Sequence, residues 1–328
     1  MIKTTLIIPT LNRHKDLIKC LNSIAKLKVA FDEIIIIEQG DMNKTNDVLV
    51  DFKNLNISLY CLHVKSLTQA RNMGVEKSKG EFVFFIDSDT ELKQNYVEVA
   101  LDYFSDHPKV VGITGEIEQG NKINDKHLSI WSFIKMCFGV ILGAHSFKMR
   151  ITRSGQYGRL FNQSKQQKVQ WLHGGHVAYR QTVFAQGFRF NQDFIRWSSG
   201  EDVMFSYQVY KHYGDGSLMY LPEFRLAHNC SADTSLTNES VVKMRVIYRF
   251  IFWKKEVYQH SSFNLLCYLW GQLGLTVAII RENKNKLATV RYLFKSYWYL
   301  AKNWRGIADN SVAYNTFILG KKNTKNIP

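Results

Sequence analysis

The chain has 328 residues, of which 45% are hydrophobic and 22% charged, a composition that argues against a disordered protein and predicts one large globular domain or two. Its five cysteines are scattered without a CxxC pair, which argues against a disulfide framework or a zinc site and favours reduced thiols in a cytoplasm. The formal net charge is +15, but residues 239–328 hold fifteen Lys and Arg against four acidic residues, so +11 of that charge lies in the tail.

Strand and helix patterns alternate along the first 90 residues. The chain opens on a strand pattern, and the apolar run before Pro9 is too short for a signal peptide. The strand patterns are "TTLIIPT", "FDEIIIIEQG", "ISLYCLHV" and "EFVFFIDSD", and the helix patterns between them are "HKDLIKCLNSIAKL", "DVLVDFKNL" and "SLTQARNMGVEKSKG". This alternation predicts an α/β fold with a parallel sheet and helices on both faces, which binds ligands at the carboxyl ends of its strands.

The fourth apolar run ends at two aspartates, Asp87 and Asp89. In an extended strand these two side chains point the same way, and two adjacent carboxylates raise each other's pKa unless a cation lies beside them. A hard divalent ion that also binds substrate phosphates is the natural partner. The alternative is that Asp87 only caps the strand and Asp89 begins a helix near Glu91.

Four segments together resemble the family 2 glycosyltransferases with the GT-A fold, over roughly residues 1 to 230. They are "LIIPTLNR", "KSLTQARNMGVEKSKGEFVFFIDSDTEL", "WLHGGHVAYRQTVFAQGFRFNQDF" and "SSGEDVMFSYQVYKHYG". The resemblance implies a GT-A fold with a mostly parallel sheet, and transfer of a sugar from a nucleotide diphosphate sugar with inversion. It also implies Mn2+ or Mg2+ on the diphosphate.

The resemblance assigns roles to individual residues. Metal ligands are expected at Asp89, Asp87 and His228, with a plain loop histidine as the alternative for His228. The residues expected to bind the nucleotide sugar are Pro9, Thr10, Asn12, Arg13, Glu38, Arg71, Asp87, Ser88, Gly174 and Gly175. Glu38 stands where the family often has an aspartate that reads the base, so the nucleobase stays open, and the alternative for Arg71 is a surface helix cation.

Catalysis is expected at the acidic pair of "SSGEDVMF". Transfer needs a base for the acceptor hydroxyl, and the resemblance assigns it to Asp202, with Glu201 touching the acceptor or orienting the base. The alternative is a pair of acids favoured by a helix N-terminus. His173 and His176 flank the glycine pair and are equally compatible with sugar contact and with a structural role.

The charge asymmetry places a boundary near residue 235, between a glycosyltransferase domain of residues 1–235 and a basic, aromatic, helical extension of residues 236–328. Three apolar segments flanked by Lys and Arg predict helices at an anionic membrane surface. Residues 261–280 have no charged side chain, which leaves a single spanning helix or a packed cap as alternatives. The apolar run within residues 128–149 predicts a buried helix or part of an acceptor channel.

These observations predict a cytoplasmic inverting glycosyltransferase, peripheral on the inner face of the cell membrane. Its expected task is one sugar addition to a glycan or lipid-linked acceptor in surface polysaccharide or oligosaccharide assembly. Two alternatives are a GT-A-like binding module without catalysis and a nucleic-acid-binding protein that uses the basic tail. Nucleic acid is not expected as a partner, because the tail's aromatics lie in hydrophobic runs and no nucleic-acid motif accompanies them. The oligomeric state is left open.

Overall fold

The computed structural model describes residues 3–119, 140–141, 143, 146, 148–158, 160, 164–196, 199–229, 238–307 and 311–320. The chain forms two compact units. The first joins Met1–Asn124, Asn162–Trp197 and Glu201–Ala232, and the second joins Asp125–Phe161, Ser198–Gly200 and Asp233–Pro328. The second unit therefore includes segments that the sequence alone placed before residue 235. Most of the apolar run at 128–149 lies outside the described residues.

The first unit alternates strands and helices in chain order. Its strands are β1 (Thr4–Thr10), β2 (Glu33–Glu38), β3 (Ile57–Cys61), β4 (Phe82–Ile86), β5 (Thr90–Leu92), β6 (Gly112–Gln119), β7 (Gln167–Lys168), β8 (His176–Arg180) and β9 (Leu218–His228). Its helices are α1 (His14–Ile24), α2 (Met42–Leu49), α3 (Leu67–Lys77), α4 (Tyr96–Asp106), α5 (Gln181–Ala185) and α6 (Glu201–Tyr213).

The sheet is mixed. Its strand order is β3-β2-β1-β4-β8-β6-β9-β5, with β7 paired to β9. The first four strands in this order are parallel, as the alternation predicts. Strand β8 then runs antiparallel to both β4 and β6, and β5 and β7 run antiparallel to β9. Strands β6 and β9 are again parallel, so the expected parallel arrangement recurs in the second half, where β5, β7 and β8 are the antiparallel strands.

Apolar side chains of alternate strand residues fill two layers. Leu6, Ile34 and Phe84 point into one core, which α1 and α4 cover with Leu21 and Phe104. The opposite face carries the neighbouring residues of the same strands, among them Phe85, whose ring lies 5.9 Å from Phe184 and 5.6 Å from Phe190. Helices thus cover both faces of the sheet, and the fully apolar strands follow from burial on both sides.

The second helix begins earlier than its apolar pattern predicts. It starts at Met42 because the Asp41 carboxylate caps it, accepting a hydrogen bond from the Lys44 backbone N–H at 3.1 Å. It ends at Leu49, and a short 3₁₀ turn over Val50–Phe52 follows. The predicted helix over "DVLVDFKNL" therefore covers only the last three residues of α2 and this turn, and its own last three residues lie beyond both.

The second unit is helical where it is described beyond residue 237. Its helices are α7 (Asn238–Glu256), α8 (Ser262–Glu282), α9 (Lys286–Asn303) and α10 (Ser311–Leu319). Helix α7 is buried nearly all round, and its Trp253 stacks on Tyr268 of α8 with ring centroids 4.2 Å apart. Lys243 of α7 donates to the Phe317 carbonyl of α10 at 2.9 Å. The predicted helical C-terminal extension is confirmed.

Helix α8 is the one described helix that is long and apolar enough to cross a membrane. Its most apolar stretch has a mean hydropathy of 1.6, and 33% of that stretch is buried within the protein. Length and composition are the only grounds for a span here, and the core helix of a soluble protein can satisfy both.

Candidate active site

The two aspartates after β4 lie in a turn, not in an extended strand. The Asp87 carbonyl accepts hydrogen bonds from the Thr90 backbone N–H at 3.2 Å and from the Thr90 hydroxyl at 2.7 Å. The alternation argument for their common direction is therefore wrong, and so is the alternative of a helix start, because β5 follows at Thr90. The turn itself brings the two carboxylates to one side of the sheet edge.

Asp87, Asp89 and His228 form a cluster that can hold a metal ion. One ligand atom from each lies within 4.8 Å of the others. Asp89 is 2% exposed, and its carboxylate is bonded to His228 Nε2 at 3.1 Å and to Arg13 Nη1 at 2.8 Å. Two carboxylates and an imidazole are a donor set that suits Mn2+, while Mg2+ uses oxygen ligands and needs the imidazole less. These residues fit the divalent ion that the sequence predicts.

The charges in this cluster perturb each other. The hydrogen bond that His228 donates to the Asp89 carboxylate raises the pKa of His228 above its ordinary value, against the opposing effect of burial. Desolvation in the cleft raises the pKa of the Asp87 carboxyl, Arg71 opposes that rise, and the Asp89 carboxylate adds to it. Asp87 and His228 therefore bind protons more readily than usual when no cation is present. A bound cation can take the place of these protons, as expected of a cation site.

Arg71 of α3 is buried between the acidic pair and the metal cluster, beside Glu201 and Asp87. Its guanidinium is 2% exposed and bonds Glu201, itself 7% exposed, at 2.9 Å. The same group lies 3.6 Å from the Asp87 carboxylate and 5.3 Å from the ring centroid of Phe190. The alternative of a surface cation is wrong. Asn72 supports this arrangement, because its side chain bonds both the N–H and the carbonyl of Phe190.

The glycine pair is required by close approach of the site residues. A Cβ on Gly175 would lie 2.1 Å from Asp87 Oδ2, and one on Gly174 would lie 2.7 Å from Arg71 Nη1 and 2.8 Å from Asp202 Cβ. The Gly174 N–H donates to Asp202 Oδ2 at 3.0 Å. Asp202 also accepts from the Val203 N–H at 2.8 Å, at the start of α6. The metal cluster and the acidic pair thus meet at two residues without side chains.

Glu38 lies in a separate cluster at the ends of β1 and β2. It is fully buried, and its carboxylate accepts from the backbone N–H groups of Asn12 at 3.2 Å and Gly40 at 2.6 Å and from the Thr45 hydroxyl at 2.7 Å. The Asn12 side chain in turn accepts from the Asp41 N–H at 2.7 Å. Sequence reasoning missed Thr45, and no local pattern distinguishes it from other threonines.

The remaining predicted nucleotide-binding residues are buried. Pro9 and Thr10 end β1, where Pro9 lies opposite Ile37 of β2 and the Thr10 carbonyl accepts from the Gln39 N–H at 3.0 Å. Thr10 is 3% exposed and Ser88, between the two aspartates, is 2% exposed. Of the predicted set, contacts join Arg13, Arg71, Gly174 and Gly175 to the metal cluster or the acidic pair, and Pro9, Thr10, Asn12 and Glu38 border them at the neighbouring strand ends.

His176 is a core histidine. It is fully buried, and its ring packs edge-on against Tyr96 and Phe224 with centroids 5.6 Å and 4.6 Å away. Burial lowers its pKa well below the ordinary value, so the ring is neutral. His173 instead packs against Trp171, with ring centroids 4.7 Å apart. The geometry favours the structural alternative for His176.

The chain is similar to known proteins over a little more than a third of its length. The chain is 29% identical to the glycosyltransferase GlyA of Streptococcus pneumoniae over 36% of this chain and 16% of that protein. It is also 29% identical to the minor teichoic acid biosynthesis protein GgaA of Bacillus subtilis, over 37% of this chain and 30% of that protein. The matches thus span less than a third of either relative's length.

Solved structures share the fold. A crystal structure of GalNAc-T7 with UDP, GalNAc and Mn2+ matches 83% of this chain and 55% of its own, with a TM-score of 0.57 and 14% sequence identity. The model of the glycosyl transferase family 2 matches residues 5–188, which is more than half of the chain. The matched residues include β1 to β8, both aspartates and the glycine pair. The chain belongs to glycosyl transferase family 2.

Proposed function

We propose that this protein is an inverting glycosyltransferase that moves a sugar from a nucleotide diphosphate sugar to a hydroxyl of a glycan or lipid-linked acceptor. One observation carries the proposal: the Asp202 carboxylate accepts from the Gly174 N–H, while Asp87 of the Asp87, Asp89 and His228 cluster lies against the adjacent Gly175. Inversion needs a base and a leaving-group site on opposite sides of the reacting carbon, and we assign these two roles to Asp202 and to the cluster.

The donor side consists of the aspartate turn, His228 and Arg71. Asp87, Asp89 and His228 would hold Mn2+ or Mg2+, and the ion when bound would neutralise charge that develops on the leaving diphosphate. The Arg71 guanidinium is a second fixed cation beside Asp87, at 3.6 Å. A buried, preorganised cation at the diphosphate stabilises developing negative charge without having to reorganise.

Asp202 is the proposed base and Glu201 a positioning residue. Glu201 is committed to its buried ion pair with Arg71, whereas the hydrogen bonds of Asp202 come from two backbone N–H groups. A carboxylate has about four acceptor positions, so Asp202 can still accept the proton of an acceptor hydroxyl. Glu201 thus sets the orientation of Arg71, and Asp202 faces the acceptor.

Glu38 is proposed to shape the base pocket without reading the base. Its carboxylate oxygens accept hydrogen bonds from Asn12 in the loop after β1, from Gly40 in the loop after β2 and from Thr45 in α2. These loops carry Asn12 and Arg13 on one side and Gly40 and Asp41 on the other. The nucleobase would then be bordered by loops whose conformation Glu38 maintains.

The relatives and the basic tail support the proposed acceptor and location. GgaA is named for teichoic acid biosynthesis, which supports a cell-surface polymer as the product. The +11 charge of residues 239–328 supports peripheral attachment to the anionic inner face of the cell membrane. A membrane-bound acceptor explains both features.

The test is the rate of nucleotide release and sugar transfer by the purified chain, with UDP-sugars and GDP-mannose as donors and soluble aryl glycosides or isolated cell-surface polymer as acceptors. Asp202→Asn removes the base and keeps the shape, so turnover should fall about 100 to 10,000-fold while donor affinity changes only a few-fold. The product's anomeric configuration, read by NMR, should be opposite to the donor's. Normal turnover in Asp202→Asn would refute the assignment of the base.

The same assays decide between the alternatives. A binding module would bind a UDP-sugar with Mn2+ and release no UDP with any acceptor. A nucleic-acid-binding protein would bind single-stranded DNA or RNA with strong salt dependence and give no thermal shift with nucleotide sugars. Saturable, Mn2+-dependent donor binding with turnover excludes both.

A further inference from the structure

Helices α8 and α9 carry large apolar side chains that stay substantially exposed, although Trp270 donates to the Ile141 carbonyl at 2.9 Å and the Phe263 ring centroid lies 5.1 Å from the Arg153 guanidinium. Each of these side chains is between 45% and 84% exposed. They are Phe263, Leu266, Leu269, Trp270, Leu273 and Val277 on α8, and Leu287, Val290, Phe294 and Trp298 on α9, together called the α8–α9 apolar face. Scattered exposed apolar residues are ordinary, but ten on two adjacent helices form a patch that indicates an interaction site.

The two helices form one continuous surface. Residues 283–285 alone connect them, so α9 folds back along α8, and the hydroxyls of Thr276 and Tyr297 meet across the seam at 2.8 Å. On each helix, the residue three positions before the seam residue and the residue one position after it are exposed and apolar. Around Thr276 of α8 these are Leu273 and Val277, and around Tyr297 of α9 they are Phe294 and Trp298. Equal offsets in antiparallel helices place side chains on the same side of the pair.

The opposite side of α8 packs against the rest of the second unit. Tyr268 stacks on Trp253 of α7, and Gln272, Leu275 and Ile279 are buried. Leaving this packing to cross a bilayer would expose an aromatic core and carry Gln272 into hydrocarbon. Helix α8 therefore presents one apolar face outward, an arrangement that suits a helix lying along a surface better than one spanning a bilayer.

Positive charge surrounds the apolar face. Residues 262–307 contain seven Lys and Arg and one acid, Glu282, which is paired to Arg245. Exposed cations on α8, α9 and their connection include Arg281, Lys284, Lys286, Arg291 and Lys302. The Lys302 ammonium lies 5.0 Å from the ring centroid of Trp298, at the edge of the face. Apolar side chains flanked by cations and tryptophan match the boundary between lipid headgroups and acyl chains.

We propose that the α8–α9 apolar face binds in the plane of an anionic phospholipid bilayer. Its apolar side chains enter the headgroup boundary, and the surrounding Lys and Arg contact lipid phosphates. This inference rests on the peripheral attachment in the proposed function and identifies the surface and its orientation. An anionic bilayer is favoured over a protein partner because the two helices and their connection carry exposed Lys and Arg, while Glu282, the one acid of residues 262–307, is paired to Arg245.

The experiment uses the full chain and sedimentation with vesicles of phosphatidylcholine alone or mixed with phosphatidylglycerol. Phe294→Ser combined with Trp298→Ser should weaken binding to the mixed vesicles at least about tenfold, since both side chains are more than half exposed and carry no core packing. Arg291→Gln combined with Lys302→Gln should weaken it about 30-fold, because each cation near an anionic surface contributes about fivefold and the two contributions multiply. Val50→Ser, at an apolar side chain that is 58% exposed in the first unit, is the matched control and should change nothing.

Each other outcome overturns the proposal. If the serine variant binds vesicles as well as the wild type does, or if the wild type does not bind them, the apolar face does not attach the protein to a membrane. If the wild type is a dimer and the serine variant is a monomer, the face binds a second copy of the chain. Retention through 1 M salt and alkaline washing would indicate an inserted helix. UDP binding with Mn2+ is measured on the same variants in solution, so failure of the donor site is seen separately from failure at the membrane.

Discussion

Gly175→Ala should disable the metal site without unfolding the protein. The added methyl carbon would lie 2.1 Å from Asp87 Oδ2, whereas real Cβ atoms essentially never approach within 3.0 Å. The carboxylate must therefore move by about 1 Å, which exceeds the tolerance of about 0.2 Å for metal–ligand distances. Because the ligand atoms of Asp87, Asp89 and His228 lie together within 4.8 Å, moving one disrupts the set. We expect Mn2+-dependent UDP affinity to fall at least about 100-fold.

The assay is calorimetric titration of UDP with and without Mn2+, beside thermal unfolding without ligand. Gly306→Ala is the matched control, since its Cβ would meet nothing within 4 Å. A second comparison isolates the cause: in an Asp87→Ala background, Gly175→Ala should have little further effect on UDP affinity. Wild-type affinity in Gly175→Ala, or an equal loss in both backgrounds, would refute the steric reasoning.

Two further predictions concern charge in the site. Glu201→Gln removes the nearer of the two anions beside the buried Arg71 guanidinium, leaving Asp87 at 3.6 Å, and should destabilise the protein by about 3 kcal/mol and weaken donor binding. Replacing both Arg71 and Glu201 by Met should restore thermal stability but not UDP affinity, and unchanged stability of Glu201→Gln would contradict the pairing. Asp89 raises the pKa of His228 above 6.5, so the pair of protonated His228 and Asp89 stabilises the metal-free protein below that pH. This stabilisation is lost as the pH rises through the raised pKa of His228. Mn2+ must displace this proton, so Mn2+ affinity by titration should increase between about pH 6 and 8, and His228→Gln should flatten that dependence.

The predictable part of the fold was the part encoded in local periodicity. Apolar runs such as "TTLIIPT" and "EFVFFI" became β1 and β4, and the helical spacing after each run became α1 to α3. The later strands were not predictable in this way, because the antiparallel insertion of β8 between β4 and β6 depends on long-range pairing. Helix α2 began earlier than its apolar pattern because Asp41 caps it.

The sequence by itself determined the family, the aspartate pair, the glycine pair and the acidic pair, since each is a short motif with its own chemistry. It also determined that the tail is helical and basic. The tertiary structure decided how these motifs combine: Arg71 and Glu201, 130 residues apart, share a buried ion pair, and Glu38 bonds Asn12 and Thr45. The tertiary structure also decided that α8 buries one face and exposes the other. The physical reason is that a motif fixes which groups are present, whereas packing of distant segments fixes which of them are desolvated, paired or left exposed.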